Sequence, residues 1–95
     1  MRIYIAGQVT GKDYKTAIKE FDDAEKMLEA RGDEVVNPTR YCDISWSWEK
    51  CMRVCLPLLT ECDGIYMLRD WKKSRGAKLE HFVAIKLGMK IENQK

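Results

Sequence analysis

Three short apolar runs, Ile3-Tyr4-Ile5-Ala6, Val35-Val36 and Ile65-Tyr66-Met67-Leu68, each precede a stretch in which apolar residues return at helical spacing. Such alternation closes into an α/β layer around a parallel sheet, because a strand, a helix and a second strand of one sheet connect by a right-handed crossover. The first run is β-branched and aromatic and stops at Gly7, so residues 2–6 read as a central strand. Residues 7–13 form a glycine-punctuated loop with Asp13 placed to cap a helix. Ala17, Phe21, Ala24 and Leu28 define the buried stripe of that helix, Ile18 and Met27 widen it, and Gly32 ends it.

Residues 34–37 are a second strand, stopped by Pro38. The connection 39–47 carries Tyr41, Cys42 and Trp46, and Ser45 or Ser47 can cap the next helix. Its apolar positions are Trp48, Met52, Cys55, Leu56 and Leu59, and Pro57 predicts a kink or interruption near residues 54–56. Residues 63–68 are the third strand and 69–73 its exit loop. Ser74 caps a last helix with an apolar face of Ala77, Leu79, Phe82, Val83, Ala84 and Leu87, closed by Gly88. Residues 89–91 make a short final strand, and 92–95 read as a frayed polar tail. The sum is four strands in the order 2-1-3-4, in one domain spanning residues 1–95. So small a sheet leaves edges and helix faces to cover, and a homodimer or higher homo-oligomer is the expected remedy.

The overall balance narrows the function. A net charge of +2, with acidic residues scattered among the basic ones, lacks the basic stripe of a nucleic-acid-binding surface, so no polymer partner is expected. Apolar runs fall short of a membrane span, and the N-terminus reads as a strand and not as a secretory segment, so a soluble cytoplasmic protein is expected. The four cysteines form no CxxC pair and there is a single histidine, so the cysteines are expected to be small buried thiols in a reducing compartment and no metal site is expected. The first loop lacks both GxGxxG and GK[ST], which removes the usual dinucleotide and ATP signatures, and no cofactor is expected.

The junction between the third strand and the last helix is where a ligand belongs, at the carboxyl end of a strand and the N-terminus of a helix. Side chains lean toward a helix N-terminus, so Glu80 lies over Gly76 and Ala77, nearly the smallest residues available. A carboxylate there overlooks open backbone, and the helix N-terminus is expected to keep it ionised near neutral pH. Placed so, it can act as a nucleophile or steady an oxocarbenium ion. Gly76 serves either ligand approach or close helix packing.

Ile3-Tyr-Ile-Ala-Gly7 with Thr10-Gly11, Val36-Asn-Pro38, residues 48–53, Cys62-Asp63 and Trp71-x-x-Ser74-x-Gly76-Ala77-x-x-Glu80 together resemble the nucleoside 2-deoxyribosyltransferase-like family of small, often phage-borne domains. The wider group includes deoxyribosyltransferases and deoxynucleoside 5′-monophosphate N-hydrolases. The resemblance implies a flavodoxin- or Rossmann-like three-layer fold and a nucleoside or nucleotide as small-molecule partner. It makes Glu80 the nucleophile and Tyr4 the phenol that orients it, with the two side chains in hydrogen-bond reach inside a pocket. It puts Gly7, Gln8, Thr10 and Gly11 around sugar or phosphate and Ser74 on the phosphate; Gly76 is counted with the substrate-binding residues, and Trp71, ahead of Trp46 and Trp48, is by its aromatic ring a candidate to stack on the base. Asp63 matches a substrate-site aspartate of the enzymes, although its plainest reading is a strand-start residue. Cys55 stands where those enzymes carry a second aspartate, Gln8 replaces a proline and Thr10 an arginine, and Asp70 is the nearest substitute for the missing acid. Cleavage or transfer of an N-glycosidic bond is the expected activity, with a non-catalytic nucleotide-binding module as the alternative.

Overall fold

The computed structural model describes residues 1–95. Strands β1 (Arg2–Ala6), β2 (Glu34–Val36), β3 (Gly64–Met67) and β4 (Lys90–Asn93) form one all-parallel sheet in the order β2-β1-β3-β4. Helix α1 (Tyr14–Ala30) packs on one face, and α2 (Trp48–Thr60) and α3 (Arg75–Lys86) on the other. This three-layer arrangement and strand order are those expected from the sequence. Alternate residues of the central strands divide between the two layers. Ile3, Ile5, Tyr66 and Leu68 meet Phe21, Ala24 and Leu28 of α1, while Tyr4, Ala6, Ile65 and Met67 meet Cys55 and Leu59 of α2 and Ala77 and Ala84 of α3. No helix is long and apolar enough to cross a membrane.

Local signals explain most boundaries. Asp13 accepts from the Thr16 amide at 3.0 Å and Ser47 from the Lys50 amide at 3.1 Å, each capping its helix. Gly32 and Gly88 lie at positive φ, 97° and 68°, just beyond α1 and α3. Of the kink or interruption that Pro57 predicts, the interruption does not occur: helix α2 runs continuously through it. Because Pro57 stands in the last turn, the amide it lacks removes only one bond close to the helix end, and the packing of Cys55 and Leu59 on the sheet holds the rest. The tail is not frayed: Glu92 and Asn93 belong to β4, the Gln94 amide donates to the Met67 carbonyl, and Glu92 receives both amino groups of Arg31. Met27 does not widen the α1 stripe and is exposed.

Asn37, at the end of β2, is the buried polar hinge of the fold. Its Nδ2 donates to Asp22 and Glu25 of α1 at 3.1 and 3.0 Å, and its Oδ1 accepts from the Thr39 amide at 3.0 Å and the Thr39 hydroxyl at 2.6 Å. Asn37→Ala is expected to destabilise the domain by ~1–3 kcal/mol in a chemical denaturation titration, because it removes four hydrogen bonds made by a buried side chain, although Asp22 and Glu25 keep Arg40 as a partner.

Candidate active site

The sheet changes winding direction between β1 and β3, the place in a doubly wound sheet where ligands bind. A cleft of about 760 Å³ opens there, between the loop after β1, the connection before α2 and the N-terminus of α3. At its floor Tyr4 Oη donates a hydrogen bond to Glu80 Oε2. Tyr4 is fully buried in the middle of β1 and Glu80 is 6% exposed on the inner side of α3, so the contact joins two residues 76 positions apart. The other Glu80 oxygen accepts no hydrogen bond from the protein, and the residue lines the cleft.

The placement of Glu80 follows from its neighbours. The inward line of α3 is Ala77, Glu80 and Ala84, small residues above and below a carboxyl, whereas Phe82 and Leu87 of the expected apolar face are both 58% exposed. Six apolar positions spread over an 11-residue span cannot share one side of a helix. The sheet accepts the narrow, small-residue side. Burial has an electrostatic consequence that reverses the expected charge state. Desolvation pushes the Glu80 carboxyl up to about 8, offset only in part by the Tyr4 hydrogen bond, so in the free protein it is mostly protonated at neutral pH. The Tyr4 phenol is raised well above its ordinary range, chiefly by burial and then by Glu80, and stays protonated.

Gly7, Thr10, Gly11, Ser74 and Gly76 border the cleft together with Tyr4 and Glu80. Ser74 Oγ accepts from the Ala77 amide at 3.1 Å and is the N-cap of α3. A Cβ on Gly76 would come within 3.1 Å of Met52 Sδ and 3.3 Å of Trp48 Nε1, so this glycine lets α3 sit close against α2. A Cβ on Gly7 would stand 2.6 Å from Leu68 Cδ1 and 2.9 Å from Leu68 Cβ. Gly7→Ala therefore overpacks the junction of β1 and β3, with an expected loss of ~1–3 kcal/mol measurable by thermal or urea unfolding.

Four other anticipated residues lie elsewhere. Gln8 turns back on its own loop, Nε2 donating to the Thr10 carbonyl at 3.1 Å. Asp70 is held by Lys12 and by the Gln8 amide at 3.3 Å; it ties the β1 loop to the β3 exit loop and does not border the cleft as a spare acid. Asp63 precedes β3 at the opposite end of the sheet, accepting from the Arg2 amide at 2.8 Å, which is the strand-start role. Trp71 stacks on His81, with ring centroids 4.2 Å apart, away from the cleft.

The aromatic walls come instead from Trp46 and Trp48, with Tyr14. Arg75 lies over the Trp48 ring, 3.6 Å from its centre, and Trp48 Nε1 is buried without a protein partner beside Gly76. Lys73 and Arg75 give the rim positive charge, Lys12, which also lines the cleft, is paired with Asp70 and Glu20, and Asp43 is the one carboxylate besides Glu80 among the lining residues. Hydrogen bonds from the Ser45 hydroxyl and amide hold the Asp43 carboxyl below its usual range, so it is an acceptor and not an acid.

The cysteines depart furthest from expectation. Cys42 and Cys51 form a disulfide, with Cα atoms 5.6 Å apart, where reduced thiols had been expected. The connection before α2 folds back over the first turns of that helix and brings the two together, a contact that their sequence separation of 9 does not announce. The Cys55 thiol is buried beside them, 3.4 Å from Cys42 Sγ and 3.9 Å from Cys51 Sγ, and it faces the Tyr4 hydroxyl. The helical i, i+4 spacing of Cys51 and Cys55 was the available signal for this grouping.

Fold and cleft together define a small three-layer α/β domain with a buried glutamate at the sheet's switch point. The chain belongs to the family described as "Domain of unknown function (DUF4406)", which matches residues 1–93. A 2-deoxyribosyltransferase from the psychrotolerant bacterium Bacillus psychrosaccharolyticus superposes with a TM-score of 0.77 at 19% identity, covering 98% of this chain and 71% of that one. The CMP N-glycosidase BcmB of Clostridium botulinum superposes at 0.68 and 22% identity, covering 98% and 67%. A 2-deoxyribosyltransferase from Leishmania mexicana superposes at 0.70 and 21% identity, covering 97% and 62%. At these identities the likeness is one of fold. No sequence match to a curated protein was found.

Proposed function

We propose that the protein cleaves or transfers the N-glycosidic bond of a (deoxy)nucleoside or its 5′-monophosphate, with Glu80 as nucleophile and Tyr4 as the residue that positions it. The observation that carries this reading is the buried Tyr4–Glu80 pair at the floor of a cleft, one carboxylate oxygen held and the other free. A second support is the shared fold with a deoxyribosyltransferase and a CMP N-glycosidase. In the reaction the free oxygen of ionised Glu80 attacks the anomeric carbon while the C–N bond breaks and the base leaves with the electron pair. Water or a second base then displaces the carboxylate, giving hydrolysis or transfer. Tyr4 fixes the rotamer of Glu80 and stabilises its anion. Trp46 and Trp48 line the cleft with Lys50 4.3 Å over the first ring and Arg75 3.6 Å over the second, so a base would stack on either only from the face opposite the cation. Lys73, Arg75, the amides at the start of α3 and the unpartnered Trp48 Nε1 form a donor set suited to a phosphate.

The second reading, a module that holds a nucleotide without turning it over, is favoured by Cys55. Burial raises its thiol above the ordinary value, so it is a poor donor to a leaving base, and ionised Asp43 cannot take its place. Incubating the protein with each deoxynucleoside and 5′-monophosphate, with and without an acceptor base, and resolving free base by chromatography decides between them. Base release that vanishes in Glu80→Ala supports the enzyme. Nucleotide binding by calorimetry with no release from any substrate overturns it in favour of the module.

The expected homodimer is supported by the outer side of α3, where Phe82 and Ile85 are 58% and 54% exposed; sedimentation equilibrium of Phe82→Glu against the unaltered protein tests it.

A further inference from the structure

The sulfur atoms of Cys42, Cys51 and Cys55 all lie within 4.8 Å of one another at the cleft wall, a grouping that the glycosidic chemistry does not use. Two of the three come from one face of α2 and the third from the connection folded over it, so the positions are set by a helix already locked onto the sheet. In a tetrahedral thiolate site with metal–sulfur bonds of ~2.3 Å, the sulfurs stand ~3.8 Å apart. The Cys55 sulfur is 3.4 and 3.9 Å from the other two. Only the bonded pair, Cys42 and Cys51, must part.

We infer that reduction of the Cys42–Cys51 disulfide opens a three-thiolate site, Cys42, Cys51 and Cys55, for a thiophilic d¹⁰ divalent cation of the zinc and cadmium class. The disulfide is then the oxidised form, which cannot take the ion. A two-electron reductant leaves Cys42 and Cys51 as thiols: a dithiol gives two electrons and two protons and becomes a disulfide, and a phosphine with water does the same and becomes the phosphine oxide. Binding of the ion then displaces three thiol protons. Three soft donors with no imidazole or carboxylate among them select such an ion over magnesium, calcium or manganese. The cleft leaves the fourth coordination position to water or to a bound ligand.

Cadmium is the probe, because its thiolate bonds absorb in the near ultraviolet with an intensity that follows the number of sulfurs. Protein reduced with a phosphine, freed of reductant and titrated anaerobically is expected to take one cadmium per chain, with the charge-transfer band saturating at that ratio. The disulfide form should give no band. Cys51→Ser and Cys42→Ser should each lose about a third of the band and bind at least tenfold more weakly, as should Cys55→Ser if it folds. Cys62→Ala, at the far end of α2, should keep it. Zinc should displace the band's growth competitively. A reduced protein with no band, or a band unchanged in both Cys42→Ser and Cys51→Ser, overturns the inference.

Discussion

Glu80→Gln is expected to lower base release by at least ~10³-fold while making the domain more stable at alkaline pH, two effects of opposite sign from one atom pair. The activity loss follows because an amide oxygen cannot form the glycosyl ester that splits the reaction into two easier steps. The stability gain follows from the position of the carboxyl. Its ordinary value is 4.5, and burial in the folded protein moves it up to about 8. Below pH ~4.5 the group is protonated in both folded and unfolded chains and has no effect on the balance. As the pH rises from there to about 8, the unfolded chain releases its proton and the folded one retains it, so folding stability is lost steadily across that window and the loss is complete above it. The amount is on the order of 3–5 kcal/mol for a shift of this size. The glutamine variant has the same shape, still accepts from Tyr4, and does not titrate. Urea titrations of both proteins at pH 5 and pH 9 should show nearly equal stability at the lower pH and a clear advantage for Glu80→Gln at the higher one. Equal stability at both would mean that Glu80 is not held in the desolvated state described above.

How far the sequence foretold this site depends on which physical signal each residue carries. The succession of strands and helices was legible because unbroken apolar runs and helical stripes are set by burial, which spacing reports directly; the strand order followed from the rules for parallel crossovers, and the three layers from the family resemblance as well. Glu80 was legible as a carboxylate over two small residues, since helix geometry alone puts it above Gly76 and Ala77. Its partner Tyr4 was not, because nothing in spacing joins residues 76 positions apart; the family resemblance supplied that link. The charge state was misjudged for a definite reason. The helix N-terminus favours an ionised carboxylate, but Glu80 lies on the buried inner side of α3, and desolvation is the larger effect. The tryptophans show a different limit. Trp71 lies in the β3 exit loop beside the expected ligand position, yet its ring is taken by His81, whereas Trp46 and Trp48 reach the cleft because the connection before α2 folds back. That same fold-back groups the cysteines. Long connections have no periodicity, so what they bring together is visible only in three dimensions.

The rate of base release is expected to rise about tenfold per pH unit below neutrality and to level off near pH 8, because kcat/KM follows the ionised fraction of Glu80 in the free protein. Between pH 6 and a plateau above pH 8 the gain should be on the order of 100-fold. Tyr4→Phe tests the other half of the pair. The Tyr4 hydrogen bond is the one influence that lowers the Glu80 carboxyl against the desolvation that raises it. Removing the hydroxyl leaves the carboxyl buried and unpartnered, so the midpoint of the profile should move further upward, and at pH 7 kcat/KM should fall at least ~30-fold. On the alkaline plateau, where Glu80 is ionised in both proteins, the deficit should shrink to the part that reflects lost positioning. A purely structural role for Tyr4 would lower the whole curve by one factor and leave its midpoint in place. A profile flat from pH 5 to 9 in the unaltered protein would mean that no group raised into that range, Glu80 included, limits the reaction, and Glu80→Gln activity then separates an unshifted nucleophile from a residue outside the chemistry.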